Sequence, residues 1–277
     1  MHPHAGLLAG RVAVVVGTSP NIGAGIARVL AEAGAAVACV DRSALNAEHA
    51  AADAATTGAL TLAVATNAVD EDEARECLRR VERELGVADV LVNAVAVYQY
   101  GGVLDLDVDA WRSQVRLILD SAFIFTQHVC RRLVEAGRRG SVVNLVSTAG
   151  HQGEAENIAY GTAKAGLLNF TRSAAMELAP HRIRVNSVTP TATDPSEWQA
   201  RARAWDVSGP DEELLRAVRR NEELIPLGRL PAPRDYGNAI AFLASDLAEN
   251  ITGVDLPVDG GALARYWRAE PREGERA

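Results

Sequence analysis

A tyrosine four residues ahead of a lysine, Tyr160-Gly-Thr-Ala-Lys164, carries the most chemical information in this 277-residue chain. Lys164 is the sole lysine: of 28 lysines and arginines, the other 27 (28 − 1) are arginine. A guanidinium is a broad planar fork, whereas an ammonium is a compact charge on a thin stem. One retained lysine therefore marks a place where the fork would not fit or would not do the chemistry. On a helix, residues four apart lie on one face. A phenol with its ordinary pKa of about 10 is a poor proton shuttle near neutrality, and a cation beside it favours the phenolate. The pair reads as a proton-exchanging tyrosine served by a lysine. The same spacing also occurs in helices without chemistry, so the neighbouring elements must decide.

Thirteen residues before Tyr160, Ser147 closes Gly140-Ser-Val-Val-Asn-Leu-Val-Ser147. That β-branched, apolar run reads as a buried strand entering a loop. A hydroxyl at the carboxyl end of a parallel strand stands where ligands bind in open α/β sheets. Ser147 is placed to donate a hydrogen bond to a substrate oxygen, or merely to cap the next turn. Near the amino end, Val12–Val16 reads as another buried strand, followed by Gly17-Thr-Ser-Pro-Asn-Ile-Gly23-Ala-Gly25 and the helical run from Ile26. Strand, glycine turn and helix start place backbone N–H groups and the helix dipole where a pyrophosphate can sit. A second strand, Ala36–Val40, leads into Asp41, whose carboxylate is placed for ribose hydroxyls and would repel a 2′-phosphate. Arg42 argues the other way, because a guanidinium could bind that phosphate. Adjacent side chains at a strand end point opposite ways, and Asp41 is expected to face the ribose.

These elements belong to a longer alternation. Strand candidates fall near Val12–Val16, Ala36–Val40, Leu60–Val64, Val90–Val92, Ser141–Val146, Ile183–Val188 and Val254–Val258. Helix-like segments separate them throughout, which predicts an α/β, single-domain, doubly wound parallel sheet of about seven strands with helices on both faces. No internal repeat interrupts it.

From about Gly10 to Gly261 the chain resembles the classical short-chain dehydrogenase/reductase family, whose sheet is of this Rossmann type. Ser147, Tyr160 and Lys164 stand at the family's catalytic spacing. Val185-Asn-Ser-Val-Thr-Pro190 resembles the strand before the substrate loop, and Ile225–Leu230, Phe242–Asp246, Ile251–Gly253 and Val258–Gly261 resemble the carboxy-terminal signature. The resemblance implies an oxidoreductase moving a hydride between a nicotinamide cofactor and a secondary alcohol or ketone. Tyr160 would exchange the proton, Ser147 position the oxygen and Lys164 bind the nicotinamide ribose. The implied cofactor-binding set is Gly17, Asn21, Ile22, Gly23, Asp41, Arg42, Asn67, Ala68, Asn93, Tyr160, Lys164, Pro190, Thr191 and Thr193. NAD is expected to be preferred over NADP. The alternatives are an NADPH-dependent biosynthetic ketoreductase and a nucleotide-binding protein of this fold that has lost turnover.

Three departures from the family pattern stand out. Asn21 replaces the middle glycine of the loop, where it is expected to tolerate a left-handed backbone. The usual Asn-Asn-Ala-Gly becomes Asn93-Ala-Val-Ala96. Ile118 occupies the place of the helix-borne catalytic asparagine and keeps only the backbone carbonyl of that position. A substrate lid is expected over 191–224, with Trp198 and Trp205 packing it down or touching substrate, and Val97-Tyr-Gln-Tyr-Gly-Gly102 is the other pocket-forming stretch. His151 and Glu154 are expected to be loop residues without a chemical role. The family also implies a homotetramer through helices near Val108–Glu135 and Ile158–Leu178, with the tail at 262–277, including Tyr266 and Trp267, reaching a neighbour.

Bulk properties narrow the class further. A net charge of −8 argues against nucleic-acid binding. Arg131, Arg132, Arg138 and Arg139 read as a solvated helix end. No apolar run approaches the ~20 residues of a membrane span, and Arg11 breaks the one stretch that could pass for a signal peptide. Cys39, Cys77 and Cys130 are scattered and odd in number, as for reduced thiols in a cytoplasm. No histidine or cysteine spacing suggests a metal.

Overall fold

The computed structural model describes residues 6–264. One seven-stranded sheet runs through them in the order β3-β2-β1-β4-β5-β6-β7, every neighbouring pair parallel. The strands are β1 (Val12–Val16), β2 (Ala36–Asp41), β3 (Thr61–Ala65), β4 (Val90–Asn93), β5 (Gly140–Leu145), β6 (Ile183–Pro190) and β7 (Asp255–Val258). All seven predicted strands are present, with boundaries moved by a residue or two. The chain starts at β1, winds outward to β3, then returns across β1 to begin β4. That reversal opens a crevice at the carboxyl ends of β1 and β4, where open α/β sheets take their ligands.

Helices cover both faces. They are α1 (Ile22–Glu32), α2 (Ala44–Ala55), α3 (Glu71–Glu84), α4 (Val108–Glu135), α5 (Ile158–Leu178), α6 (Ser196–Trp205), α7 (Glu212–Glu222) and α8 (Pro233–Ala244). Alternation sorts the strand side chains between the layers. Ala13 and Val15 pack with α1, α2 and α8, while Val12, Val14 and Val16 pack with α3, α4 and α5. Val14 and Val15 have no exposed surface, and burying each such side chain contributes about 1.5–3 kcal/mol. Side-chain caps fix several helix starts: Ser43 caps α2, Asp70 caps α3 and Asp107 caps α4.

The arginine cluster does more than solvate a helix end. Arg132 pairs with Glu82 at 2.6 Å, Arg138 with Asp89 at 2.8 Å and Arg139 with Asp246 at 2.8 Å. Asp89 is buried and also accepts from the Val12 N–H at 3.0 Å. These pairs tie α4 to α3 and the connection after α4 to the start of β4 and to the turn after α8, far from the crevice. No described helix is long and apolar enough to cross a membrane.

Candidate active site

Residues at the carboxyl ends of four strands build the site. Ser147 lies two residues beyond β5 in extended conformation, and its Oγ accepts from the Ala149 N–H at 3.2 Å. A single 3-10 turn, Thr148–Gly150, then carries the chain against α5. At Gly150 a Cβ would sit 2.9 Å from the Lys164 carbonyl carbon. The missing side chain lets turn and helix touch, bringing Ser147 beside the first turns of α5. Tyr160 and Lys164 point inward from one face of that helix, 3% and 1% exposed. Lys164 Nζ donates to the Leu145 carbonyl at 2.6 Å and lies 5.6 Å from the Tyr160 ring centroid.

The electrostatics differ from the sequence expectation. Burial pushes the Tyr160 phenol above its ordinary value, while hydrogen bonds with Tyr98 and Ser147 pull it down. Lys164, which the spacing suggested as the acidifying group, is itself drawn down to about 7 by burial. Within the protein alone, hydroxyl partners rather than the ammonium offset the desolvation of the phenol. Tyr98, from the loop between β4 and α4, donates to Tyr160 Oη at 2.8 Å, with ring centroids 4.3 Å apart. That loop was expected to shape a pocket, but nothing in the sequence signalled the contact itself. Glu154 accepts from Asn157 Nδ2 at 2.8 Å, and its negative charge raises the phenol. Glu154 is otherwise an exposed residue of the connection between β5 and α5, as expected. His151 Nε2 lies 3.1 Å from Thr189 Oγ1 and 3.1 Å from Asp255 Oδ2, tying the turn after Ser147 to the β6–β7 edge.

Nucleotide-side residues gather at the ends of β1 and β2. The Gly17 N–H donates to the Val40 carbonyl at 2.7 Å, which sets the glycine loop beside Asp41. A Cβ on Gly23 would collide with the Gly17 carbonyl oxygen. Asn21 precedes α1 with φ −85°, so the left-handed conformation expected of it is not used; Gly17 takes that role at φ 95°. The reason is positional, since the reversal occurs at the strand end and Asn21 only starts the helix. Unlike α2, α3 and α4, helix α1 has no side-chain cap, and unlike α3 and α4 it has no acid in its first turn. Thr18 Oγ1 and Asn21 Oδ1 are buried without a partner. An uncapped, acid-free helix start beside a side-chain-free cradle, with the buried Thr18 hydroxyl free to donate, fits a dinucleotide pyrophosphate.

Asp41 is half-buried and accepts from the Ser43 N–H at 3.0 Å and Asn46 Nδ2 at 3.3 Å, whereas Arg42 is exposed. Asn67 and Ala68 follow β3, with the Asn67 N–H bonded to Glu73 Oε2 at 2.8 Å. Asn93 turns its amide into the sheet, donating to Asn144 Oδ1 at 2.8 Å and Thr126 Oγ1 at 3.2 Å, so only its backbone borders the crevice. Pro190 ends β6, and Thr191 and Thr193 follow. Tyr236 on α8 holds this pair: its hydroxyl lies 3.0 Å from Thr193 Oγ1 and 3.4 Å from the Thr191 carbonyl. Sequence reasoning missed Tyr236, whose partners are more than forty residues away.

The expected lid contains α6 and α7. Trp205 is 8% exposed and packs on His49 of α2 at 5.2 Å, which makes it an anchor. Arg201 reaches the Pro20 and Asn21 carbonyls at 3.4 and 3.3 Å, fastening α6 to the glycine loop. Ile118 is 1% exposed and packs with Val146, Ala163 and Leu167 around Tyr160. Among the described residues no cluster could hold a metal ion.

Comparison with known proteins agrees with this geometry. The family described as enoyl-(acyl carrier protein) reductase matches residues 17–262. A cis-4-hydroxycyclohexanecarboxylate dehydrogenase of Sinomonas cyclohexanicum is 38% identical, covering 92% of this chain and 97% of its own. The chain belongs to the short-chain dehydrogenase/reductase family. It is an oxidoreductase that moves a hydride between a nicotinamide cofactor and an alcohol or ketone. A D-threitol dehydrogenase of Mycolicibacterium smegmatis is 34% identical over 92% of this chain and 93% of that one. Among solved structures, a short-chain dehydrogenase/reductase from Burkholderia xenovorans superimposes with a TM-score of 0.85 at 30% identity, covering 95% of this chain and all of that one (100%).

Proposed function

We propose that this dehydrogenase prefers NAD(H) and acts on a secondary alcohol through Tyr160, Ser147 and Lys164. The observation that carries the reading is the meeting of these three side chains at the end of β5, across the crevice from Asp41. When bound, the nicotinamide accepts or returns the hydride of the carbinol carbon. Ser147 Oγ holds the reacting oxygen by a hydrogen bond. Tyr160 Oη takes the hydroxyl proton during oxidation and returns it during reduction. Lys164, buried at the base of the pocket, would hold the ribose hydroxyls, and where it is protonated beside the bound cofactor it would favour the phenolate.

On the adenosine side, Gly17, Asn21, Ile22 and Gly23 would cradle the pyrophosphate. Asp41 would take the ribose hydroxyls, with Asn67 and Ala68 against the adenine. Asn93, through its backbone, and Pro190, Thr191 and Thr193 would border the nicotinamide. Asp41 at the end of β2 supports NAD, because a carboxylate there opposes a 2′-phosphate at close range. Arg42 is the one observation favouring NADP(H) and a biosynthetic ketoreductase. The protein is read as a cytoplasmic homotetramer.

Relatives named for a hydroxycyclohexane acid and for a tetritol supply the assay panel: cyclic secondary alcohols, polyols and the matching ketones. On the best substrate, kcat/KM with NAD is expected to exceed that with NADP, and Asp41→Ala to narrow or reverse the gap. Tyr160→Phe is expected to lose at least about a hundredfold in turnover while still binding cofactor. A wild type that favours NADP(H) sinks the cofactor assignment. Nucleotide binding with no turnover across the panel would favour a non-catalytic binder.

A further inference from the structure

We propose that Tyr98 is a substrate-displaced hydrogen-bond donor to Tyr160: its hydroxyl holds the place of the reacting oxygen before substrate binds and yields it when substrate arrives. The proposal rests on the assignment of Tyr160 as the proton-exchanging group. Tyr98 Oη stands 2.8 Å from Tyr160 Oη, and its ring lies over the Tyr160 ring at 4.3 Å with a 32° tilt. Ser147 is the other hydroxyl partner of Tyr160. A reacting oxygen must touch both Tyr160 and Ser147, and the Tyr98 hydroxyl already occupies a hydrogen-bonding place on the phenol oxygen. Of the two hydroxyls near the phenol, one has to give way to it.

Position decides which one. Ser147 is 8% exposed, follows a central strand directly and is held by the Ala149 N–H. Tyr98 is 54% exposed and rides on a stretch, 94–107, whose only ladder contact is the isolated bridge between Gly101 and Asn157. Moving Tyr98 breaks its ring contacts with Tyr160 and Tyr100 and one hydrogen bond, whereas moving Ser147 would disturb the sheet.

A hydrogen bond donated to an oxygen that becomes charged favours the charged form. The groups facing Tyr160 are Tyr98 and Tyr100 from the β4–α4 loop, Glu154 from the β5–α5 connection, Ser147 beyond β5 and Lys164 on α5. Of these, Glu154 and Tyr100 oppose the phenolate, while Tyr98 and Ser147 support it. Burial beside Tyr160 raises Tyr98 well above the ordinary phenol value, so Tyr98 stays protonated and remains a donor while Tyr160 ionises. Before substrate binds, the acidity of Tyr160 is set in part by Tyr98; afterwards the substrate hydroxyl takes over that contact.

Two pH profiles of alcohol oxidation separate these states, since kcat/KM reports the enzyme before substrate binds and kcat the complex with substrate. Both profiles are measured for wild type and Tyr98→Phe with NAD and the best alcohol of the panel. Phenylalanine keeps the ring and removes only the donor. The acid limb of kcat/KM is expected to move up by about one pH unit, the worth of one hydrogen bond to a charged group. The limb of kcat is expected to move by less than half as much. Coincident profiles would mean that Tyr98 only packs. Equal shifts in both would mean that it stays in place over the substrate. Either result overturns the proposal. Tyrosinate absorbance of the enzyme–NAD complex, with Tyr160→Phe as the blank, gives the same comparison without turnover. An unmoved titration in Tyr98→Phe overturns the proposal even if no panel alcohol reacts, so its failure and that of the assigned activity are distinguishable.

Discussion

Lys164 shows how far a single residue departs from its composition-level reading. It is 1% exposed, donates to the Leu145 carbonyl and pairs with no carboxylate among the described residues, and burial draws the ammonium from 10.5 to about 7. Between those two pH values the unfolded chain binds the proton more fully than the folded one, so this residue makes stability rise with pH. Below about 7 both states are protonated, and the folded protein carries the whole cost of the buried charge. Wild type is therefore expected to gain on Lys164→Met as pH rises from about 7 towards 10.5. Urea unfolding midpoints of the two proteins at a series of pH values measure the difference. Parallel curves would mean that the ammonium keeps its ordinary pKa inside the fold.

At the scale of elements, α4 and α5 form the wall behind the tyrosine, and Ile118 belongs to that wall. Its side chain is enclosed by Val146, Ala163 and Leu167, so an amide there would be buried with no designated partner. Ile118→Asn is expected to cost about 2 kcal/mol in chemical unfolding. It is expected to change turnover by less than roughly tenfold, or about 1.4 kcal/mol of barrier. Asparagine stands here in the family pattern, but in this chain the position serves packing. A large rise in kcat with unchanged stability would show instead that the missing amide limits the wild type.

Across the whole molecule, the same two helices keep apolar side chains on their outer faces after covering the sheet. Phe123 on α4 is 51% exposed and lies edge-on to Phe170 at 6.4 Å, and Met176 on α5 is 64% exposed. Exposed apolar surface on two packed long helices fits contact with other copies of the chain. A homotetramer is the expected assembly, and Phe123→Arg is expected to lower its mass in light scattering at micromolar concentration. A monomeric wild type would refute the assembly. The tail residues Tyr266 and Trp267 lie outside the described residues.

Periodicity and turn chemistry act locally, which is why the amino-acid order alone determined the seven strands, the glycine turn before α1 and the placing of Tyr160 and Lys164 on one helix face. Each depends on neighbours within one or two turns of chain. The same order also placed Ser147 and Asp41 at strand ends, because a strand's carboxyl end is recognisable from its own residues. Contacts across the chain were decided only by the tertiary structure. Tyr98 reaches Tyr160 across 62 positions, Tyr236 holds Thr193 across 43 and Arg201 grips Asn21 across 180. The acidity of Tyr160 belongs to this second kind, because desolvation depends on what the whole fold packs around the phenol. The sequence suggested a charge four residues away as the acidifying group; the folded protein surrounds the phenol with apolar side chains and sets two hydroxyls against it.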